Sequence, residues 1–275
     1  MKILHIGDFE YQLPEKLNEM NVRELIFLSH LVSLEIPIQE IKIKILFFCL
    51  KAKRLSVDSS LFSGSEPLHY KISIGKRKFV LSAEQIMIAA GAFDYLFTAP
   101  DKNGNCFFDN RLTVNPFTEL KIGGKKFYSP AEALTDISYN RYIYLETYYS
   151  AIRQKPEAAL AFLACLFQER KKEFNPDELN LELMQKVKPE VVILMCWFYI
   201  GSIRFIGDKF PRIFPAESKS LTNGNPFDGQ MKLLDFMAKA DPSKKRLIRD
   251  DKLYDVLYSL DYLLEVEENK TNSIP

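Results

Sequence analysis

One short pattern occurs three times in this chain and limits how the chain can fold. "LHIGDFEY" (Leu4 to Tyr11), "ISIGKRKF" (Ile72 to Phe79) and "LKIGGKKF" (Leu120 to Phe127) all read [LI]-x-I-G-x-x-x-[FY]. Leu4 and Ile6, Ile72 and Ile74, Leu120 and Ile122 alternate with polar residues, the period of a half-buried strand. Gly7, Gly75 and Gly123 then open a two-residue connection, where a type II′ turn needs positive φ at its first central position. Phe9 and Tyr11, Phe79 and Phe127 start a return strand. Each copy predicts a small β-hairpin. Asp8 and Glu10 stand in the first copy where the others carry Lys76 and Lys78, or Gly124 and Lys126. A common ligand would not survive that reversal of charge, so the repeat reads as a building unit.

The segments after the hairpins repeat too. "LPEKLNEMNVRELIFLS" (Leu13 to Ser29) aligns with "SPAEALTDISYNRYIYLE" (Ser129 to Glu146), allowing one inserted residue. Leu17 then matches Leu134, Glu19 matches Asp136, Met20 matches Ile137 and Leu28 matches Leu145. The middle copy continues "LSAEQI" (Leu81 to Ile86) and is degraded. The unequal spacing of the copies excludes a regular solenoid. Capping-box patterns occur at Asn21/Glu24, Ser82/Gln85, Ser129/Glu132 and Asn175/Glu178, and Pro130 and Pro176 suit a first helical position. Helices are predicted near 22–32, 38–54, 82–97, 139–153, 156–172, 176–187, 189–206, 229–240 and 250–266. The fold class expected is α+β: repeated small β-hairpin plus helix units over 1–137, a mainly helical region over 138–266 and a flexible tail over 267–275.

Charge and cysteine usage narrow the functional classes. The 37 basic and 36 acidic side chains leave a net charge of +1, which argues against a generic polyanion binder. Cys49, Cys106, Cys165 and Cys196 have no C-x-x-C spacing, and three of them sit in apolar runs, as buried free thiols do. That usage suits a reducing cytoplasm. "MKILHIGDFEYQLPE" lacks the apolar core of a signal peptide. The most apolar run, Val191 to Ile203, falls short of a bilayer span and predicts a buried helix, so a soluble protein is expected.

No chemistry-bearing constellation appears. In "DKNGNCFFDN", Asp101, Asn103, Asn105 and Asp109 mimic a calcium loop, but Cys106 replaces the turn glycine and Leu112 replaces the bidentate glutamate. Asn103-Gly104 predicts a turn instead. His5, His30 and His69 form no zinc spacing. The P-loop, G-x-G-x-x-G and G-x-S-x-G motifs are absent. "IGGKKF" is too short to cradle phosphate and leads into a strand. Acidic pairs such as Asp136 and Glu146, or Asp250 and Asp251, have no acid–base partner. No catalytic, cofactor-binding or metal residue is assigned, and no cofactor is expected.

Two surfaces remain as candidates. Lys76, Arg77 and Lys78, with Lys125 and Lys126, lie on hairpin tips and would form one basic rim if the tips were adjacent, a candidate nucleic-acid contact. The clusters at 51–54 and 170–172 read as helix C-termini, where cations favour the dipole. The helix "SYNRYIYLETYYSAI" carries Tyr139, Tyr142 and Tyr149 on one face and Tyr144 and Tyr148 on another. Two tyrosine-bearing faces exceed one core contact and mark a candidate protein interface. The loops "VNPFTE" (Val114 to Glu119) and "GNPFDG" (Gly224 to Gly229) read as turns with an aromatic plug.

Three stretches, "YQLPEKLNEMNVRELIFLS" (Tyr11 to Ser29), "RLTVNPFTELKIGGKKFYSPAEALTDISYNRYIYLETYY" (Arg111 to Tyr149) and "AALAFLACLF" (Ala158 to Phe167), resemble uncharacterised proteins of bacteriophage and prophage structural-gene regions. Those are similar to tail-assembly chaperones and tail- or baseplate-associated factors. The resemblance implies non-enzymatic protein–protein work in virion assembly, in the host cytoplasm or the virion. Its partners would be other phage or virion proteins, or further copies of the chain. The alternatives are a nucleic-acid-associated phage or mobile-element protein using the basic tips, and an enzyme with a pocket the sequence does not reveal.

Overall fold

The structure, a computed structural model, describes residues 1–34, 36–57, 69–170, 172–215 and 226–271. Its contacts divide the chain into two compact units, Met1–Asn110 and Arg111–Pro275.

The first unit begins with the hairpin of β1 (Lys2–Ile6) and β2 (Phe9–Leu13), in which Ile6 faces Phe9 across Gly7-Asp8. A 3₁₀ turn, Leu17–Glu19, leads to α1 (Val22–Val32), then α2 (Ile38–Cys49). Next comes β3 (Ala52–Val57), which pairs with β4 (His69–Ile74). The second hairpin joins β4 to β5 (Arg77–Ser82), with Ile74 facing Arg77 across Gly75-Lys76. Ser82 ends β5 and also caps α3 (Ala83–Ala90), so the middle copy passes from hairpin to helix with no intervening turn. Phe9 meets Phe79 edge-to-face at 6.1 Å, and Arg77 lies 3.6 Å over the Phe9 ring. Aromatic residues of the repeat thus pin the first two hairpins together.

The second unit holds the third hairpin, β6 (Glu119–Ile122) and β7 (Lys125–Tyr128), with Ile122 facing Lys125 across Gly123-Gly124. A 3₁₀ turn, Glu132–Leu134, precedes α4 (Tyr139–Ala151) and α5 (Ala158–Leu166). The short β8 (Gln168–Glu169) then adds to the edge of β7. It is followed by α6 (Leu181–Met184), α7 (Pro189–Lys209), α8 (Pro226–Ala238), α9 (Pro242–Asp250) and α10 (Leu253–Thr271). Small antiparallel sheets and a helical C-terminal half make the protein α+β, as its pattern predicts.

The duplicated unit is visible atom by atom. Leu17 and Leu134, Met20 and Ile137, Leu28 and Leu145 are all buried. Asn21 and Ser138 occupy the same place and cap their helices: Asn21 Oδ1 accepts from Glu24 N at 3.2 Å, and Ser138 Oγ from Arg141 N at 3.3 Å. The Glu19 carboxylate accepts from Glu15 N at 2.8 Å, and the Asp136 carboxylate accepts from Ala131 N at 2.7 Å. The matched acid therefore does one job in both copies, closing the chain back over the 3₁₀ turn. At the hairpin tips Gly7 and Gly75 have φ of 59° and 61° and are followed by residues of ordinary φ, the signs of a II′ turn. Gly123 and Gly124 are both positive, the signs of type I′.

Several expectations are corrected. The helix expected over 38–54 stops at Cys49, because Lys51 takes a left-handed φ of 53° and the chain turns into β3. Lys53 and Arg54 are strand residues, not helix-terminal cations. Arg170 follows β8 rather than a helix, and Lys171 lies outside the described residues. The Ser129/Glu132 box does not form, since Glu132–Leu134 is a 3₁₀ turn with Ala133 and Leu134 at φ of 51° and 62°. The third hairpin belongs to the second unit, because β8 and the helices hold it there, and the compact units divide at Asn110 rather than near 137. α9 occupies a stretch for which the sequence pattern predicts no helix. α10 continues to Thr271 through part of the expected tail; 272–275, residues 63–68 of the loop before His69, and Gly224 and Asn225 of the second Asn-Pro-Phe loop lie outside the described residues.

α7 is long and apolar enough to cross a membrane, with a mean hydropathy of 1.6 over its most apolar stretch. Here Leu194, Met195, Phe198 and Ser202 are fully enclosed. Gly201 lies against the backbone of Leu112, where an added Cβ would overlap the carbonyl oxygen. Backbone cannot yield as a flexible side chain does, so Gly201→Ala should cost several times more than Gly7→Ala. The Gly7 site is open and carries only the left-handed strain, about 1–2 kcal/mol. Urea midpoints of the two variants test this ordering.

Candidate functional site

The tyrosine-rich helix α4 turns out to be a structural hub of the second unit. Tyr139 and Tyr142 are each 1% exposed and cannot form an outer interface. The Tyr139 hydroxyl donates to Gln230 Oε1 at 2.7 Å, and Gln230 Nε2 donates to Glu146 Oε2 at 2.6 Å. Tyr149 packs with Phe162 and Tyr199 at centroid distances of 5.6 and 4.8 Å. Tyr144 meets Tyr148, Phe174 and Phe227 at 5.7 to 6.2 Å. The second face that looked surplus in the sequence is taken by α8 and the segment around Phe174.

The basic tips are likewise largely engaged. Lys125 Nζ pairs with Glu169 at 2.9 Å and Lys126 Nζ with Glu119 at 3.2 Å, while Arg77 covers Phe9. Lys76 and Lys78 are exposed. The two groups of lysines belong to different units. In the turn at 101–105, Asp101 Oδ1 accepts from Asn103 N and Asn105 N, both at 2.8 Å. The carboxylate that would head a calcium loop closes a turn instead, and the backbone donor of Asn105 lowers its pKa. No cluster of metal-ligating side chains occurs among the described residues.

Two concavities have functional dimensions. The first, about 880 Å³, lies in the second unit among α4, α8 and α9, with Arg141, Lys245, Arg246 and Arg249 on its walls. Most of its cations are already partnered. Arg141 Nε and Nη2 donate to the carbonyls of Cys165 and Leu166 at 2.6 and 2.8 Å, and burial pulls this guanidinium down to about 10. Arg249 donates twice to Asn140 Oδ1, and Lys245 pairs with Asp235. Asp136, Glu173 and Asp250 line the same walls. These groups hold helices together and present no nucleophile beside a base.

The second concavity, about 1040 Å³, is an open groove on the first unit where α1, the end of α2 and the start of β3 meet. Its floor is Val22, Phe27, Phe47, Phe48, Cys49 and Ala52, and its rim carries Arg23, Lys44, Lys51 and Lys53 against a single acid, Glu24. Lys44 also pairs with Glu40 one turn earlier on α2, at 2.8 Å. Phe27 and Phe48 stack at 4.2 Å with an interplanar angle of 11°, and Phe48 is 37% exposed. Glu24 is occupied by its capping box, accepting from Asn21 N at 2.9 Å. Burial and the Glu24 carboxylate push the Cys49 thiol up to about 12, so it is inert at neutral pH. Lys51 stands at the position after the helix C-cap that glycine usually takes, so the rim includes a cation held in a strained conformation. Sequence reasoning missed the groove because it ran α2 through 54; the signal available was the cationic run Lys51-Ala52-Lys53-Arg54 directly after "ILFFCL".

No protein family, curated protein or solved structure matches the chain.

Burial of Glu146 raises its pKa above the usual carboxylate range, partly opposed by hydrogen bonds from Gln230 and Tyr142. A carboxyl whose folded pKa is raised contributes stability at pH below its unfolded value and loses it as pH rises through the folded value. Stability should therefore climb as pH falls from neutrality towards about 4.5, the ordinary value of a glutamate, and Glu146→Gln should flatten that slope. Urea midpoints measured across this window check both.

Proposed function

We propose that this chain is a non-enzymatic assembly protein of phage type, and that it works by gripping an acidic amphipathic segment of a protein partner in the groove on its first unit. The observation that carries this reading is the pairing of an apolar, aromatic floor with a cationic rim. Apolar area supplies affinity, about 25 cal/mol per Å² removed from water, and the rim selects the partner by charge and speeds its approach. A helix with leucine or tyrosine on one face and glutamates flanking it satisfies both features. The partnered polar groups of the other cleft and the inert thiol support a binding role over a catalytic one.

Nucleic acid is the competing occupant, since stacked aromatics beside cations also suit single strands. The stacking of Phe27 on Phe48 disfavours it: each ring already gives one face to the other, and much of the remaining floor is aliphatic.

Fluorescence anisotropy with a labelled amphipathic helix, leucine and tyrosine on one face and glutamate on the other, should show saturable binding that weakens with salt. Phe48→Ala should reduce affinity on the order of tenfold, and an unlabelled single-stranded oligonucleotide should not compete. Competition by the oligonucleotide, or binding indifferent to Phe48, overturns the reading. Lys51→Gly should stabilise the fold by up to about 1 kcal/mol by relieving the left-handed strain while weakening peptide binding; a Lys51 with no binding role would give only the first effect.

A further inference from the structure

We infer that the groove's occupant is the C-terminal stretch of α10 from a second copy of this chain, so that the protein associates with itself. This rests on the groove being a site for acidic amphipathic segments. α10 changes character along its length. Leu253, Val256, Leu257 and Leu260 are buried at 0 to 4% exposure and anchor its first half. Beyond Leu260 no residue of α10 is buried among those described; Tyr262 is 65% exposed and Leu263 is 39% exposed. An exposed tyrosine and an exposed leucine in consecutive positions supply the kind of anchors that an aromatic-floored groove accepts.

The charges match as well. Asp261, Glu265, Glu267 and Glu268 flank Tyr262 and Leu263, against Lys270 alone on the basic side. One guanidinium, Arg212, spans three of these carboxylates, at 3.1 Å from Asp261, 3.8 Å from Glu265 and 3.5 Å from Glu268. By its own residues the segment stays acidic, four carboxylates to the one ammonium of Lys270. The groove presents four cations, of which Lys44 is shared with Glu40, and Glu24 is tied into its capping box. The segment and the groove lie on different parts of the chain, so two copies either exchange segments reciprocally in a closed dimer or pass them on from copy to copy. Passed on from copy to copy, the contact builds rings or filaments; exchanged reciprocally, it stops at a dimer.

Sedimentation velocity of the full chain over a range of concentrations tests this. The weight-average mass should rise above 31.9 kDa with concentration and fall back as salt is added. Tyr262→Ser should weaken self-association by at least about tenfold, with circular dichroism and thermal melting confirming that the variant folds. The groove variant Lys51→Glu/Lys53→Glu and the helix variant Glu267→Lys/Glu268→Lys should each fail to associate alone. Mixed together they should form a heterodimer, because the intact groove of one meets the intact helix of the other. A chain that stays at 31.9 kDa throughout, or association that survives both variants, overturns the inference. If that monomer still binds the designed acidic helix, the groove reading stands and only the identity of the occupant is lost; if it binds neither, both fall.

Discussion

A buried guanidinium must find acceptors, and Arg141 finds the end of a helix. Its two bonds to the carbonyls of Cys165 and Leu166 satisfy acceptors that the last turn of α5 cannot satisfy itself. With the end of α5 fixed, Gln168 and Glu169 are placed to pair with β7, which completes the sheet of the third hairpin. The same first turn of α4 is held on its other side, where Tyr139 N donates to Asp251 O at 2.8 Å and Leu253 N donates to Ile137 O at 2.9 Å. Hairpin, central helix and C-terminal helix are thus registered on one short segment. Removing either partner of a buried charge-assisted bond costs several times its net worth, so this segment has little freedom to vary.

The two copies of the duplicated unit have gone different ways from that same position. Arg141 in the second copy corresponds to Glu24 in the first, three residues after the capping residue in each. Glu24 closes a capping box at the protein surface; Arg141 turns inward and organises a helical core. The first copy carries the open groove at α1 and the end of α2, and the helix of the second copy packs against α5, α8 and α9. The cap, the 3₁₀ turn and the carboxylate that closes it are common because they are local and need only neighbouring backbone.

That distinction explains what the sequence could reveal. The hairpins, the caps at Asn21 and Ser82, the long helices and the α+β class were legible because each depends on residues close in the chain. β3 and β8 were not, since strands of two to six residues exist only because a partner edge is presented to them from elsewhere in the chain. The tyrosine faces of α4 misled for a related reason: amphipathicity says how much of a helix is covered, not whether the cover comes from the same molecule. The groove was hidden by Lys51, whose left-handed φ has no signature when glycine or asparagine is absent.

A strained lysine is informative where a glycine would not be. Glycine at position 51 would let α2 stop and β3 start at lower conformational cost, so the cation stands there against local stability. It lines the groove beside Phe47 and Phe48, and the binding role proposed for that groove would account for a lysine at this position. The near-neutral overall charge is consistent with this, because it conceals local opposition: cations around the groove and carboxylates along the exposed end of α10. On the proposed self-association, a chain carrying both halves of a complementary pair on separate surfaces would need no excess charge to attract its partner, and that attraction would grow as salt falls.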